Sequence, residues 1–437
     1  MADLKQIARQ IFHETLAAID IPAATQRKLW RDGTVLYCGD ELAVELRGLS
    51  HVCVIAIGKA AHAMVDGLMP VIPREMKVGG VVSAPTVPEN RVAELRYFVG
   101  GHPIPNLDSW RAAEAILDEL RGCDEKTLVF FLLSGGGSAL VELPLDPEQT
   151  LEDVQGLYSV LVTCGAPIAD LGKVRRHLSA VKGGRLAVAA GRATKITLAV
   201  SDVPKRQEVA LASGPTIPDP TTIEDAMDVL AKYNLRGRLP RAVSRWVDGG
   251  KMTETPKSGD AAFLDAHFSL LLGTDDLFHP AHRAAECRGF VTCCDNSTDD
   301  WPAREAAEYL LEQLEGLRTA QPGRRVAVIA DGEVSSPVTG TGVGGRNSAF
   351  VLACVEKIAG RGVCVFSAGT DGIDGNSFAA GAVADGETLG RARELSMDMD
   401  EYFQASDAHT FFARLGDAII TGPTGNNLRD LRILLAE

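Results

Sequence analysis

Several short stretches of this chain combine residue types suited to handling an anion. In "AIGKAAHAM", Lys59 follows Gly58 where an apolar run gives way to a helical pattern. An ammonium group there sits beside helix amides that already favour negative charge. In "FFLLSGGGSALVELP", Gly135, Gly136 and Gly137 lie between Ser134 and Ser138. Without Cβ atoms to hold a ligand off, backbone amides at such a turn can point at phosphate oxygens. This turn is not a P-loop, because G-x-x-x-x-G-K-[ST] occurs nowhere in the sequence. The stretch Leu171 to Ala187 carries Lys173, Arg175, Arg176, Lys182 and Arg185 without one acid, and Lys182 to Arg185 read "KGGR". In a chain of 44 Lys and Arg against 58 Asp and Glu, that cluster suggests an anion site. "GTGVGGRN" sets Arg346 and Asn347 directly after Gly344 and Gly345, as a phosphate clamp would.

Carboxylates complete the set. Asp202 in "LAVSDVP" closes an apolar run, and Asp371 and Asp374 in "GTDGID" share a glycine-loosened loop. Such groups can accept a proton or hold magnesium. Glycine-rich strand ends, isolated cations at helix starts and magnesium-binding carboxylates are the working parts of phosphoryl transfer. Each stretch also has a plainer use: a tight turn for the glycines, a solvated face for the basic cluster, a helix cap for Asp202. Gly340, Gly342 and Gly345 match the dinucleotide fingerprint G-x-G-x-x-G, but they do not directly follow a strand, as that fingerprint requires.

These residues need elements to position them. Short β-branched runs recur, among them "HVCVIAIG", "TLVFFLLS", "KITLAVSD", "RVAVIADG" and "GVCVFSAG", and helical patterns follow them. Continuous apolar strands alternating with amphipathic helices predict α/β architecture with mostly parallel sheets covered on both faces. At 437 residues the chain exceeds one ordinary core, and "RGRLPRAVSRWVDGGKMTETPKSGD" reads as a boundary. The expected domains are residues 1–250 and 251–437. In open parallel sheets ligands bind where strands end, which is where these motifs lie.

A net charge of −14 argues against a nucleic-acid partner. No apolar run reaches membrane-span length, and the amino-terminal stretch carries acids and no signal-peptide core. Nine cysteines scattered through apolar segments suggest reduced core residues and a cytoplasmic location.

Eight ordered blocks resemble the type 2 glycerate kinases, the family also labelled by its carboxyl-terminal MOFRL domain: "GKAAHAM", "GGHPIPN", "LLSGGGSALVELP", "HLSAVKGGRLA", "ASGPTIPDPTT", "GTGVGGRN", "GTDGIDG" and "TGPTGNNLRDLRILL". The resemblance implies two three-layer α/β/α domains, the first Rossmann-like, with the active site in the cleft between them. It implies transfer of the γ-phosphoryl group of ATP, with magnesium, to the 2-hydroxyl of D-glycerate, giving 2-phosphoglycerate. A homodimer is compatible with it. The family's catalytic lysine falls on Lys59 and its catalytic arginine on Arg346, and Asp202 is a further candidate to bind magnesium or orient the hydroxyl. Ser134 to Ser138, Lys182, Arg185, Gly344, Gly345 and Asn347 are the expected substrate and phosphate contacts, and Asp371 and Asp374 the expected metal ligands. The sequence departs from the family pattern at Lys205 and Arg206, and again at Asn376, Ser377 and Phe378. Those departures leave another small sugar acid open as substrate. Some family members carry the label hydroxypyruvate reductase, so an NAD(P)-dependent reductase is the alternative activity.

Overall fold

The apolar runs that end in Gly, Ser or Asp form the central strands of two sheets. A computed structural model describes residues 3–203 and 207–437. Its first nine strands are β1 (Leu29–Asp32), β2 (Val35–Cys38), β3 (Leu42–Glu45), β4 (His51–Ile57), β5 (Lys77–Ala84), β6 (Leu95–Val99), β7 (Thr127–Ser134), β8 (Thr194–Val200) and β9 (Ala266–Leu272). The remaining six are β10 (Val291–Cys294), β11 (Val326–Asp331), β12 (Val363–Gly369), β13 (Gly381–Asp385), β14 (Ala418–Ile419) and β15 (Asp430–Ala436). Two compact units emerge, Ile21–Leu272 and a discontinuous one of Met1–Asp20 with Gly273–Glu437.

In the continuous unit the strands run β6-β5-β4-β7-β8-β9, every pair parallel. All residues of β7 are buried, as expected of a strand covered on both faces. On one face Ile55, Phe131 and Leu133 pack against Ala112, Ile116 and Leu120 of the helix Leu107–Arg121. The helix Ala61–Leu68 packs on β4, β5 and β7. Strands β1 to β3 form a separate antiparallel sheet.

The discontinuous unit departs from the parallel expectation. Its order is β10-β11-β15-β12-β13-β14, and only β10 with β11 is parallel. The reason is β15, which inserts antiparallel between β11 and β12 and so brings its first residues to their carboxyl ends. Alternation defines the layers. Val328, Val365 and Leu434 face the helices Ala303–Ala320 and Arg346–Ile358, while Phe366 on the other face meets Phe12 of the helix Leu4–Ala18, ring centroids 5.0 Å apart. That amino-terminal helix is tied further by Lys5, whose Nζ is 2.8 Å from Asp417.

The compositional boundary at 250/251 does not coincide with these units. Strand β9 pairs with β8 and carries the continuous unit on to Leu272, and the first helix belongs with the carboxyl-terminal residues. Among the described residues no helix is long and apolar enough to cross a membrane.

Candidate active site

Parallel pairing places the residues after β4, β7 and β8 at one edge of the continuous unit's sheet, since Ile57 sits opposite Leu133 and Ser134 opposite Val200. Two of these chain ends are locked together. The Lys59 amide donates to the Gly135 carbonyl at 3.0 Å, and the Ala60 amide to Ser134 Oγ at 3.0 Å. Gly58 permits the approach: its φ is +129°, and a Cβ there would lie 2.1 Å from Ser134 Oγ. Gly136 adopts φ +81°, and a Cβ would stand 3.3 Å from the His102 ring and 3.4 Å from Cγ of Lys59. The glycine turn is therefore flanked by Lys59 and by His102. His102 belongs to "GGHPIPN", where sequence reasoning gave it no role.

The far side of the turn is also built. Ser138 Oγ is 2.6 Å from Ser213 Oγ. Ser213 and Ala212 both adopt left-handed backbone, with φ +60° and +49°, an arrangement non-glycine residues tolerate only when their surroundings impose it. Asp202 lies half-buried two residues past β8. Lys205 and Arg206 lie outside the described residues.

In the discontinuous unit the focus is Arg346, first residue of its helix. Its Nε donates to Asp430 Oδ2 at 2.5 Å, its Nη2 to Asp430 Oδ1 at 3.2 Å, and its Nη1 to Glu333 Oε2 at 2.7 Å. The side chain is nevertheless 36% exposed. Burial disfavours the charged guanidinium, but the two carboxylates outweigh it and push its pKa up. Conversely, burial opposes ionisation of Asp430, while Arg346 holds that carboxyl below its usual range. Gly369 leaves room for a second carboxylate: a Cβ there would lie 3.1 Å from an oxygen of Asp371 and 3.2 Å from one of Asp430. Arg429 is held at φ +138° with its guanidinium on Asp299 and 3.9 Å from Asp331, and Arg432 donates to the carbonyls of Gly332 and Asp331.

Several expected contacts are occupied by structural work. Lys182 is buried, its ammonium 3.2 Å from Glu142 and donating to the Val141 carbonyl at 2.9 Å. Glu142 in turn accepts from Ser179 and lies 2.5 Å from the Tyr158 hydroxyl. Arg185 donates to the carbonyl of Arg176 at 2.7 Å and to those of Thr253 and Glu254. Asp374 is buried and caps a helix, accepting from the amides of Asn347 and Ser348 at 2.9 Å each and from Ser348 Oγ at 2.6 Å. Burial raises its pKa, and the helix amides and the Ser348 hydroxyl bond one oxygen once and the other twice. Asn347 is buried and accepts from Ser367. Ser134 and Gly135 join strand ends, as described above. Gly344 and Gly345 do reach the surface of a cavity.

The Asp430, Glu333, Arg429 and Asp299 cluster was missed. A signal existed in "NNLRDLRILL": charges at the start of an otherwise apolar strand must find partners if buried. Asn376 also acquires a task, accepting from the Gly344 amide at 2.8 Å and donating to the Gly342 carbonyl at 3.1 Å.

Residues 7–248 match the family described as a domain of unknown function (DUF4147), and residues 326–430 match the MOFRL family. A D-glycerate 2-kinase of Thermotoga maritima is 34% identical over 88% of this chain and 90% of its own. A protein of Agrobacterium vitis named putative hydroxypyruvate reductase is 33% identical over 99% of this chain and 94% of its own. A crystal structure of glycerate kinase from Thermotoga maritima superposes with TM-score 0.81 at 31% identity, covering 99% of each chain. The chain belongs to the type 2 glycerate kinase family, marked by its MOFRL domain.

Proposed function

We propose that this protein transfers the γ-phosphoryl group of ATP to the 2-hydroxyl of D-glycerate, giving 2-phosphoglycerate and ADP. The observation that carries the reading is Gly136, whose missing Cβ leaves the Lys59 side chain lying against the bare glycine turn that closes β7. A lysine whose stem passes a half-buried glycine turn at the end of a buried parallel strand is suited to charge on a transferred phosphoryl group.

In the reaction the glycerate hydroxyl oxygen bonds to the γ-phosphorus, the bridging oxygen leaves with ADP, and the hydroxyl proton passes to a carboxylate. Asp202 is assigned to accept that proton. Lys59 and Arg346 are assigned to the charge on the phosphoryl oxygens. Arg346 suits the task because two carboxylates fix the plane of its guanidinium fork while part of it stays exposed. With Asp374 committed to a helix cap, Asp371 is the carboxylate assigned to hold magnesium, which when bound would neutralise phosphate charge. The same proposal puts the reaction in the cytoplasm and treats the protein as a single enzyme for small-molecule substrates. Related sugar acids are the alternative acceptors, because Asn376, one of the departures from the family pattern, bonds the loop at Gly344.

A reductase reading is favoured by the name of the Agrobacterium relative. Against it, Gly340 and Gly342 lie well beyond the end of β11 and pack on Ala405 and Asp407 instead of opening a dinucleotide turn. One experiment separates the readings. Purified protein is incubated with ATP, magnesium and D-glycerate and coupled to enolase without a mutase. Phosphoenolpyruvate formation is expected; NADH consumption with hydroxypyruvate and no enolase signal would replace the kinase by the reductase.

A further inference from the structure

The unit that carries Arg346 also holds an open cavity of about 310 Å³ to which the proposed reaction assigns no ligand. Its walls are mostly apolar, from Ala303, Ala349, Leu352 and Phe403, with the hydroxyl residues Ser335 and Ser336 on the lining. Apolar walls with a few polar groups are the usual make-up of a small-molecule site, and this volume lies at the low end of the range of about 300–1,000 Å³ such sites span. A flat base with its sugar is an occupant of that order of size.

Three features give the occupant its character. First, Phe403 is stacked under the Arg304 guanidinium, 3.9 Å from the ring centroid, so the lining already holds a planar aromatic layer. Second, Gly344 and Gly345 are on the lining and are followed directly by Arg346, which opens the helix whose Ala349 and Leu352 line the same cavity. Third, the displaced glycine fingerprint finds its purpose here. The loop that carries it is laid over residues 405–407: the Gly342 amide donates to the Ala405 carbonyl at 2.9 Å, and the Val343 amide to Asp407 at 2.8 Å. A Cβ at Gly340 would lie 2.3 Å from that same Ala405 carbonyl, and one at Gly342 2.4 Å from Cβ of Asp407. The glycines let the loop press down far enough to wall the cavity.

We infer that this cavity receives the purine base of ATP, with the phosphates directed toward Arg346. The inference rests on the kinase reading and names where in that reaction the nucleotide is held. Its test measures ADP binding by calorimetry on the whole protein, with inorganic tripolyphosphate as a ligand that has phosphates and no base. Two variants are compared with the wild type: Ala349→Leu, which fills the cavity, and Phe403→Leu, which removes the aromatic layer. If either variant melts early, the other carries the comparison.

The expected result is an ADP affinity lower by about tenfold or more, an energy of about 1.4 kcal/mol, with tripolyphosphate binding unchanged. ADP affinity equal to wild type in both folded variants overturns the inference, and if the wild type still makes 2-phosphoglycerate the kinase reading stands without it. Selective loss of ADP binding in a protein that does not phosphorylate glycerate keeps the cavity assignment and removes the acceptor. A wild type that binds no ADP overturns both.

Discussion

Two helices of this protein open on the same tripeptide, Gly-Gly-Arg, and the two arginines end in opposite kinds of surroundings. Arg185, first in the helix Arg185–Ala189, spends its guanidinium on main-chain carbonyls of residues 176, 253 and 254. The glycines before it bond to the strained turn, Gly183 to the Ser213 carbonyl at 3.0 Å and Gly184 to that of Gly214 at 2.7 Å. Arg346 is held instead by two carboxylates, Asp430 and Glu333, and keeps part of its surface in solvent. A carbonyl partner fixes a backbone and cannot be exchanged for a ligand without unravelling it. A carboxylate partner keeps the cation charged and oriented while it waits for an anion. In the proposed reaction, the kind of partner, more than the local motif, separates a cation that builds the site from one assigned to act in it.

The largest test of that contrast is Lys182, the other cation of the first motif. Lys182→Met leaves Glu142 buried without its counter-ion, which typically costs about 3–5 kcal/mol. Chemical denaturation should show that loss, and Glu142→Gln in the same chain should recover much of it by removing the stranded charge. A Lys182→Met protein of full stability but no turnover would move Lys182 back among the substrate contacts.

Next comes Arg346→Ala. Removing one charge-stabilising donor usually lowers turnover by about a hundred- to a thousand-fold, or about 2.7–4 kcal/mol. Arg346→Lys keeps the charge and loses the two-pronged grip on Asp430, so it should recover only part of the rate. The enolase-coupled assay reads both variants, and Arg185→Ala beside them should lose stability while its folded fraction turns over normally. Near-wild-type turnover in Arg346→Ala would erase the distinction between the two motifs.

Why the motifs looked alike in sequence follows from where their partners lie. The strands of the continuous unit were legible, because a parallel sheet covered on both faces demands unbroken apolar runs such as "TLVFFLLS". Lys59 and the glycine turn were also legible as a pair of strand ends, since parallel neighbours deliver their carboxyl ends to one edge. Glu142, forty residues before Lys182, carries no local sign that it will be the buried counter-ion. Asp374 reads as half of a loop carboxylate pair, yet its donors are the first amides of a helix that begins at Arg346. The antiparallel insertion of β15 was invisible for a similar reason: an apolar strand does not announce which neighbours it will part. Without that insertion Asp430 could not be placed beside Gly369, so the carboxylate that orients Arg346 was missed along with the topology.

A smaller effect is expected at the turn beside Lys59. Gly136→Ala must hold a Cβ at φ +81°, in close contact with His102 and Lys59. Left-handed backbone costs an L-residue about 1–2 kcal/mol, and displacement of Lys59 should appear as a further loss in kcat. The variant thus sharpens the role of the turn: a stability loss with unchanged kinetics would reduce it to a corner of the fold, whereas slower turnover in the folded fraction ties it to Lys59.

The smallest expected effect concerns the helix Ile168–Leu178, whose end supplies the carbonyl that receives Arg185. Asp170 near its start bonds Lys173 at 2.9 Å, Lys232 at 3.1 Å and the Tyr233 hydroxyl at 3.0 Å. The Lys173 hydrogen bond, with help from Lys232 and Tyr233 and against some burial, lowers its pKa to about 2. An unfolded chain holds the same carboxyl near its ordinary value of about 3.9, so the folded state favours the charged form. That stabilisation is complete above about pH 5 and is lost as pH falls through about 2. Asp170→Asn should therefore cost at most about 1 kcal/mol near neutrality, because partly exposed ion pairs contribute little. The gap between wild type and variant should shrink steadily below about pH 4 in denaturant titrations. A gap that widened on acidification would have the wrong sign, and would mean that the helix beneath Arg185 is held by something other than this carboxylate.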